Sequence, residues 1–307
     1  MKGISYLQLH RKGKLRERVE KAVALLGACR LCPHECGVDR LAGERGICRT
    51  GRRAKVASFS PHFGEEAPLV GRHGSGTIFI SSCNLFCTFC QNYEISHRGE
   101  GVEVEPEQMA ALMLELARKG CHNINFVTPT HVVPQILEGL LIAAEEGLDV
   151  PLVYNSGGYD SVETLQILEG IFDIYMPDFK FWDPQQAGRF CRASDYRERA
   201  VLAIREMHRQ VGDLEIDPDG IAVRGLLVRH LVMPGDVAGT AEVMRFLADE
   251  ISVHTYVNIM DQYRPCYRAN NDRLINRRVT REEFSRALAA AEAAGLRRLD
   301  PRMRFVL

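Results

Sequence analysis

This 307-residue chain contains ten cysteines, and three of them stand close enough in sequence to bind one metal centre. Cys83, Cys87 and Cys90 have the spacing C-x3-C-x2-C. Three thiolates on one short loop can ligate three irons of a [4Fe–4S] cluster, which leaves the fourth iron open to an outside molecule. A structural zinc would need a fourth protein ligand, for which His97 is the nearby candidate. The spacing therefore favours an iron–sulfur centre that binds a further ligand.

A second group of four cysteines lies near the N-terminus. Cys29, Cys32, Cys36 and Cys48 have the spacing C-x2-C-x3-C-x11-C. Four thiolates within twenty residues can close one tetrahedral site, which suits a structural zinc. The same four ligands also suit an auxiliary [4Fe–4S] cluster. This segment has little apolar content, so a bound metal would stabilise its fold, and that reasoning slightly favours zinc.

The composition sets limits on the partners of the protein. The formal net charge is −1, from 39 Lys and Arg against 40 Asp and Glu, which argues against a nucleic-acid partner held by phosphate contacts. No apolar run approaches the roughly 18–20 residues that span a bilayer, and residues 1–23 lack an apolar signal-peptide core. We therefore expect a cytoplasmic protein without a membrane partner, in which clustered cysteines bind metal rather than form disulfides.

Strand-like and helical segments alternate from about residue 76, and this alternation must position the cysteines. The periodicity predicts six strands, at 77–80, 123–127, 152–155, 172–176, 225–228 and 255–259. Strands that alternate with helices form a parallel sheet. Six units rather than eight predict an α/β fold with an open, partial (β/α)6 barrel. The Cys83 loop follows the first strand, at the end where barrel enzymes place their chemistry.

Local signals add detail to this outline. Thr280 with Glu283 three residues later predicts a capped helix that runs to Ala294, and residues 217–220 predict a turn that could form the tip of a hairpin. The lone Cys121 and Cys191 are predicted to be small buried residues. We divide the chain into a cysteine-rich segment, residues 1–73, and the barrel, residues 74–307.

The cysteine loop carries a family resemblance. Its sequence, Cys83-Asn84-Leu85-Phe86-Cys87-Thr88-Phe89-Cys90, resembles the C-x3-C-x-aromatic-C signature of radical SAM enzymes, and the resemblance extends over residues 76–265. It implies that the amino and carboxylate groups of S-adenosylmethionine (SAM) chelate the fourth iron. It also implies that Phe89 lies beside the adenine of SAM.

Further SAM contacts follow from the same resemblance. The Gly-Gly-Glu motif that holds the SAM amino group in the family is replaced here by Thr128-Pro129-Thr130-His131. Thr128 and Thr130 are therefore the candidates for that contact. Asn155 begins a segment, residues 155–159, that is placed like the next SAM-contacting segment of the family.

A narrower resemblance points to one branch of the family. Asp178-Phe179-Lys180 is similar to the Asp-Leu-Lys motif of glycyl-radical-enzyme activases, which implies that Asp178 approaches the SAM ribose and Lys180 the SAM carboxylate. With its N-terminal cysteines, the whole chain most resembles the PflX-like branch, named for its similarity to pyruvate formate-lyase activating enzyme.

The resemblance implies an oxygen-sensitive enzyme, an oxidoreductase or lyase. A flavodoxin- or ferredoxin-type donor would reduce the cluster, and SAM would be cleaved to methionine and a 5′-deoxyadenosyl radical. That radical would abstract hydrogen from an unidentified small molecule or peptide. Tyr263 and Cys266, in the polar segment 258–266, are the candidates to return a hydrogen atom to a product radical.

Two other functions stay open at the level of the sequence. The first is an activase that installs a glycyl radical on a partner enzyme, which would use the same cofactor on a protein substrate. The second is a non-catalytic iron–sulfur or zinc protein. SAM cleavage would separate either kind of enzyme from a non-catalytic protein. A glycyl-radical signal on a partner would separate the activase from an enzyme that acts on a small molecule or peptide.

Overall fold

A ten-stranded sheet organises the part of the chain that the computed structural model describes, residues 3–301. Its strands follow one another along the sheet in the order β10-β9-β8-β6-β5-β4-β2-β1-β3, and β7 pairs with β8 outside this path. The strands are β1 (Ala54–His62), β2 (Ser75–Ile80), β3 (Val102–Val104), β4 (Ile124–Val127), β5 (Leu152–Ser156), β6 (Ile174–Pro177), β7 (Glu215–Ile216), β8 (Ala222–Leu231), β9 (Tyr256–Met260) and β10 (Arg298–Leu299).

The helices connect these strands and cover the sheet. They are α1 (Ser5–Arg11), α2 (Lys14–Ala24), α3 (Ala67–Val70), α4 (Tyr93–Ser96), α5 (Pro106–Arg118), α6 (Val133–Glu145), α7 (Val162–Ile167), α8 (Pro184–Cys191), α9 (Tyr196–Val211), α10 (Thr240–Phe246) and α11 (Arg281–Ala293). Proline at the first helical position and a capping box begin α5, and its apolar face is buried. Among the described residues, no helix combines the length and the apolar character needed to cross a membrane.

The six strands predicted from the sequence are β2, β4, β5, β6, β8 and β9, and they pair in parallel in this order. Strand β5 is buried at every position, as expected for a parallel strand covered on both faces. The sheet does not close, because β3 and β10 form its two edges. The predicted α/β fold with a partial barrel is therefore confirmed, and the hairpin at 217–220 is present between β7 and β8.

Two antiparallel strands extend the barrel beyond the predicted set. β1 pairs with β2 and with β3. β1 contains Pro61, which lies past the stretch paired with β3, where the missing N–H of proline is tolerated. Because β1 belongs to residues 1–73, the sheet continues across the boundary between the two predicted domains. The division into two domains stays a prediction.

Substitutions at the N-terminus of α11 measure how much its predicted cap contributes to stability. Thr280 Oγ1 accepts a hydrogen bond from Glu283 N (3.2 Å), and Glu283 Oε2 accepts one from Thr280 N (2.9 Å), so the predicted capping box is confirmed. We expect Thr280→Ala to lower the free energy of unfolding by about 1 kcal/mol, because it removes this side-chain acceptor. Urea denaturation measures the loss. Thr280→Ser keeps the hydroxyl and should recover most of it; an equal loss in both variants would contradict the cap as the cause.

Candidate functional site

A cavity of about 460 Å³ opens at the carboxyl ends of the parallel strands. Side chains at these ends converge, because parallel strands finish at the same edge of the sheet. The lining comes from the cysteine loop after β2, from strands β5, β8 and β9, and from the segments before α3 and after β6. Its polar and aromatic side chains include Glu65, Glu66, Cys87, Phe89, Cys90, Asn155, Asp178, Lys180, Arg229 and Asn258.

The loop that carries Cys83, Cys87 and Cys90 supplies hydrogen-bond donors to its own sulfurs. Leu85 N donates to Cys83 Sγ (3.3 Å), and Ser96 Oγ lies 3.1 Å from Cys90 Sγ. Hydrogen bonds to sulfur stabilise thiolates and tune an iron–sulfur centre. Two of the three cysteines line the cavity directly. The donor set therefore fits a [4Fe–4S] cluster, which these three cysteines would hold beside the cavity.

Helix α8 ends against this loop and brings a fourth thiol to it. Thr88 N donates to Phe190 O (2.8 Å), and Cys191 Sγ lies 3.3 Å from Cys87 Sγ. This hydrogen bond lowers the pKa of Cys87 and outweighs the opposing effect of burial. The predicted burial of Cys191 is confirmed, but its contact with Cys87 was not predicted. No local motif indicates it, since 104 residues separate the two cysteines.

A partly buried group of charges lines the same cavity as the cysteines and forms what we call its charged wall. Lys180 Nζ lies 2.5 Å from Asp178 Oδ2, and Arg229 Nε donates to Asp178 Oδ1 (2.8 Å). Burial acts to raise the pKa of Asp178, but the two cations hold it below its usual value. Arg229 Nη2 also donates to Asn155 Oδ1 (2.7 Å), so two of the predicted SAM contacts, Asp178 and Asn155, bind one guanidinium, and Lys180 joins them through Asp178. Arg229 itself was not predicted, although an arginine directly after the apolar run at 226–228 was a usable signal.

Two consecutive acidic residues complete the charged wall. Glu65 and Glu66 lie 3.9 and 3.8 Å from Arg229 Nη1, and Asn258 Nδ2 donates to Glu66 Oε1 (2.9 Å). The other oxygen of Glu66, Oε2, is buried without a hydrogen-bond partner among the described residues. Burial raises the pKa of Glu66. Sequence reasoning missed both glutamates, because it did not recognise β1, the strand that places them.

The two threonines predicted to hold the SAM amino group lie just outside the cavity lining. Thr128 has a left-handed backbone, with φ of 64°, and its N–H donates to Asn155 O (2.9 Å). Thr130 is buried, and its hydroxyl donates to Asp160 Oδ1 (2.7 Å). The structure therefore commits the Thr130 hydroxyl to a structural hydrogen bond. Both assignments as SAM contacts stay predictions.

Phe89 lies in the cavity wall, whereas the two predicted hydrogen-atom donors do not. The Phe89 ring packs against Phe181 (centroids 5.8 Å apart) and Tyr263 (6.2 Å apart). Tyr263 is buried behind Phe89, and its hydroxyl donates to Ile275 O (2.8 Å). Cys266 is partly exposed on the loop after β9. The structure thus places Tyr263 as support for Phe89, and a catalytic role for Tyr263 or Cys266 stays a prediction.

The glycines after β5 allow the chain to pass close to the charged wall. Gly158 has φ of 77°, and a Cβ there would collide with the carbonyl oxygen of Asp178 and lie 2.8 Å from the Tyr196 hydroxyl. That hydroxyl accepts from Lys180 N (2.9 Å) and lies 2.8 Å from Asp178 O. The position of Asp178 and Lys180 therefore depends on the absence of a side chain at Gly158.

The four N-terminal cysteines line a second, smaller cavity. Arg40 and His131 share this lining with Cys29, Cys32, Cys36 and Cys48. Within residues 3–301, no three histidine, cysteine, aspartate or glutamate side chains are placed so that they could hold a single metal ion.

Comparison with known proteins gives one family match and one curated relative. The model of the radical SAM superfamily matches residues 77–247, more than half of the chain. An uncharacterized protein of Methanocaldococcus jannaschii is 34% identical over 289 residues, which covers 91% of this chain and 78% of that protein.

Solved structures share the architecture at low sequence identity. HydG, described as a maturase of the [FeFe]-hydrogenase, superposes with a TM-score of 0.50 at 12% identity, over 73% of this chain and 51% of HydG. The chain thus spans about half the length of HydG, and this likeness shows the fold alone. The protein anSMEcpe, solved with bound AdoMet, gives a TM-score of 0.45 at 9% identity, over 71% of this chain and 61% of anSMEcpe.

A pair of glycine substitutions tests the close approach at Gly158. Gly147 has a comparable φ of 93°, but a Cβ there would meet no atom within 4 Å, so Gly147→Ala should cost only the backbone strain of about 1–2 kcal/mol. Gly158→Ala adds overpacking, which costs about 1–3 kcal/mol more. Chemical denaturation of both variants measures the difference. Equal losses would show that the contact with Asp178 carries no strain.

Proposed function

The chain belongs to the radical SAM superfamily, and from this premise we propose that Cys83, Cys87 and Cys90 hold a [4Fe–4S] cluster that cleaves SAM. The observation that carries this proposal is the shared cavity. Cys87, Phe89 and Cys90 form one wall of it, and Asp178, Lys180 and Arg229 belong to the same lining. The bound cluster and SAM would supply a 5′-deoxyadenosyl radical, which abstracts hydrogen from a substrate.

The charged wall suits the polar ends of SAM. Lys180 and Arg229 are partly buried cations that would pair with the SAM carboxylate, since charge-assisted hydrogen bonds are strong where water is largely excluded. Asp178 keeps its negative charge because of those cations and would accept hydrogen bonds from the ribose hydroxyls. Asn155 would add a polar contact beside Arg229.

The apolar part of the cavity would orient the adenine. The Phe89 ring is held from behind by Phe181 and Tyr263, so its orientation is fixed before a ligand binds. A preorganised ring lowers the ordering cost of binding. The aromatic backing also limits the entry of water to that side of the cavity.

We further propose that the protein is a PflX-like, cytoplasmic enzyme that receives its electron from a flavodoxin- or ferredoxin-type donor and acts on a small molecule or peptide. The Asp178-Phe179-Lys180 motif and the N-terminal cysteines support the branch assignment. The cavity volume of about 460 Å³ lies within the range of small-molecule sites.

SAM cleavage tests the assignment of the cluster. We expect Cys87→Ala to abolish the formation of 5′-deoxyadenosine by anaerobically reconstituted, dithionite-reduced protein, because the cluster loses one of three ligands. Liquid chromatography with mass detection measures the product. Cys121→Ala is the matched control, since Cys121 is buried beside the carbonyl of His73, outside the cavity lining, and should retain the activity. Formation of 5′-deoxyadenosine by Cys87→Ala would overturn the assignment.

The role of Lys180 is tested by SAM affinity. Lys180→Met keeps an apolar side chain of similar length and removes the ammonium. Loss of a charged hydrogen bond costs about 1.5–3 kcal/mol, so we expect SAM to bind about 10–100-fold more weakly. Equilibrium binding to the reconstituted protein measures this change. Lys119→Met, at the exposed end of α5, should leave the affinity unaltered, and an unchanged affinity in Lys180→Met would remove Lys180 from the site.

A further inference from the structure

We propose that Cys29, Cys32, Cys36 and Cys48 hold a second [4Fe–4S] cluster, with the buried Arg40 as its counter-cation. This site is distinct from the cavity of the proposed SAM chemistry. The proposal stands on the N-terminal residues themselves and does not require that SAM be cleaved.

The N-terminal loop is folded so that its four thiols face one enclosed space. Gly37 N donates to Cys29 O (3.0 Å), and Ile47 N donates to Cys36 Sγ (3.4 Å). A Cβ at Gly46 would lie 2.7 Å from Cys36 Sγ, so only glycine lets the turn before Cys48 approach this closely. The loop is therefore built to bring sulfurs together, and N–H donors to sulfur are typical of metal–thiolate loops.

The four thiols surround a cavity rather than one point. Leu31, Glu35, Arg40, Gly46 and His131 complete its lining. A zinc held by four cysteines draws each sulfur to about 2.3 Å from the ion, which leaves no space between them. A [4Fe–4S] core separates its four ligands by the width of the cluster. The cavity is too small for an organic ligand, so its shape favours a compact inorganic cluster.

Arg40 makes this space electrostatically suited to an anion. Its side chain is 1% exposed, which makes it the largest buried side chain of the described residues. Its guanidinium donates to the carbonyls of Gly51 (2.9 Å) and His131 (2.9 Å), and its Nη1 lies 3.8 Å from Cys29 Sγ. None of these partners is a carboxylate. A buried cation needs a countercharge, and a cluster ligated by four thiolates supplies a net negative charge.

His131 brings a polar atom without a partner to the same cavity. It is buried in the wall of the same cavity, and its Nε2 donates to Ser81 O (2.9 Å), so its Nδ1 carries the lone pair. Within residues 3–301, that Nδ1 has no hydrogen-bond partner. A buried acceptor without a partner is costly, and this one marks the cavity as a polar site for a bound group. A cluster ligated by four thiolates has no proton to donate to Nδ1, so the case for the cluster rests on the four thiols and Arg40.

The position of the site also suits an iron–sulfur centre. His131 links the cavity to Ser81, two residues before Cys83, and His34 Nε2 lies 2.7 Å from Asn84 O. The backbone on the two sides of Cys83 is therefore contacted by His131, from the wall of the N-terminal cavity, and by His34, from the N-terminal loop. A redox-active cluster packed directly against that loop could exchange single electrons with it, which a zinc ion cannot do.

Metal analysis of a variant that lacks the three cysteines of the other loop tests the proposal. In C83A/C87A/C90A, only the N-terminal cysteines remain to bind a cluster. The metal content of the N-terminal site is therefore measured apart from SAM chemistry. After anaerobic reconstitution with ferrous iron, sulfide and an equal amount of zinc, we expect about four irons and four sulfides per chain, with a reduced-cluster EPR signal. One zinc per chain, iron without sulfide, or no bound metal would each overturn the proposal.

Four further substitutions in the same background identify the ligands and the counter-cation. Adding Cys48→Ala should lose the iron, whereas adding Cys266→Ala should not. Arg40→Met should keep the iron but shift the cluster's reduction potential to a more negative value, because reduction adds negative charge beside a lost cation; Arg40→Lys should restore part of that shift. An unchanged potential in Arg40→Met would remove Arg40 from the role of counter-cation.

These outcomes are distinguishable from a failure of the proposed function. A wild-type protein that forms no 5′-deoxyadenosine, while C83A/C87A/C90A still binds about four irons, would overturn only the SAM chemistry. A wild-type protein that forms 5′-deoxyadenosine, while C83A/C87A/C90A binds no iron, would overturn only the second cluster.

Discussion

The pairing of Asp178 with Arg229 is the interaction on which the rest of the site depends. The carboxylate follows β6 and the guanidinium extends from β8, so their hydrogen bond joins the carboxyl ends of neighbouring strands. Either charge alone would be costly to bury, and each therefore holds the other in place. Through Arg229, the same pair fixes Asn155 on β5 and the glutamates before α3. The side chains that form the charged wall of the cavity therefore also join the carboxyl ends of β5, β6 and β8.

The cysteine loop is fixed by contacts from two distant parts of the chain. On one side, the end of α8 receives hydrogen bonds from the loop backbone and places Cys191 beside Cys87. On the other side, His34 contacts Asn84, and Asn84 in turn donates to Tyr159 O (2.7 Å). The thiols are thus held in position before any cluster binds, which reduces the reorganisation that ligation requires.

The N-terminal segment is bound closely to the barrel. Its strand β1 extends the sheet, and Arg40 donates to the carbonyl of His131 in the turn after β4. The two cysteine groups are therefore coupled through one turn, residues 128–131, which we predict to stand in place of the Gly-Gly-Glu motif of the family. That substitution is understandable here, because Thr130 supports Asp160 and His131 reaches both the N-terminal cavity and Ser81.

The sequence by itself determined the features that are local in the chain. Six parallel strands, the capping box at Thr280 and the three-cysteine loop each follow from residues a few positions apart, where periodicity and spacing act directly. The proximity of Asp178 and Lys180 is local in the same way.

Only the tertiary structure decided the partners of these groups. Arg229 lies 51 residues from Asp178 and Cys191 lies 104 residues from Cys87. Their contacts arise from strand order and from the helix that returns to the loop, and neither is encoded in a local pattern. Burial also explains the contacts of Thr130 and Tyr263, because a buried polar group needs a hydrogen-bond partner wherever the fold supplies one. The Thr130 hydroxyl donates to Asp160, and the Tyr263 hydroxyl donates to Ile275 O while its ring packs against Phe89.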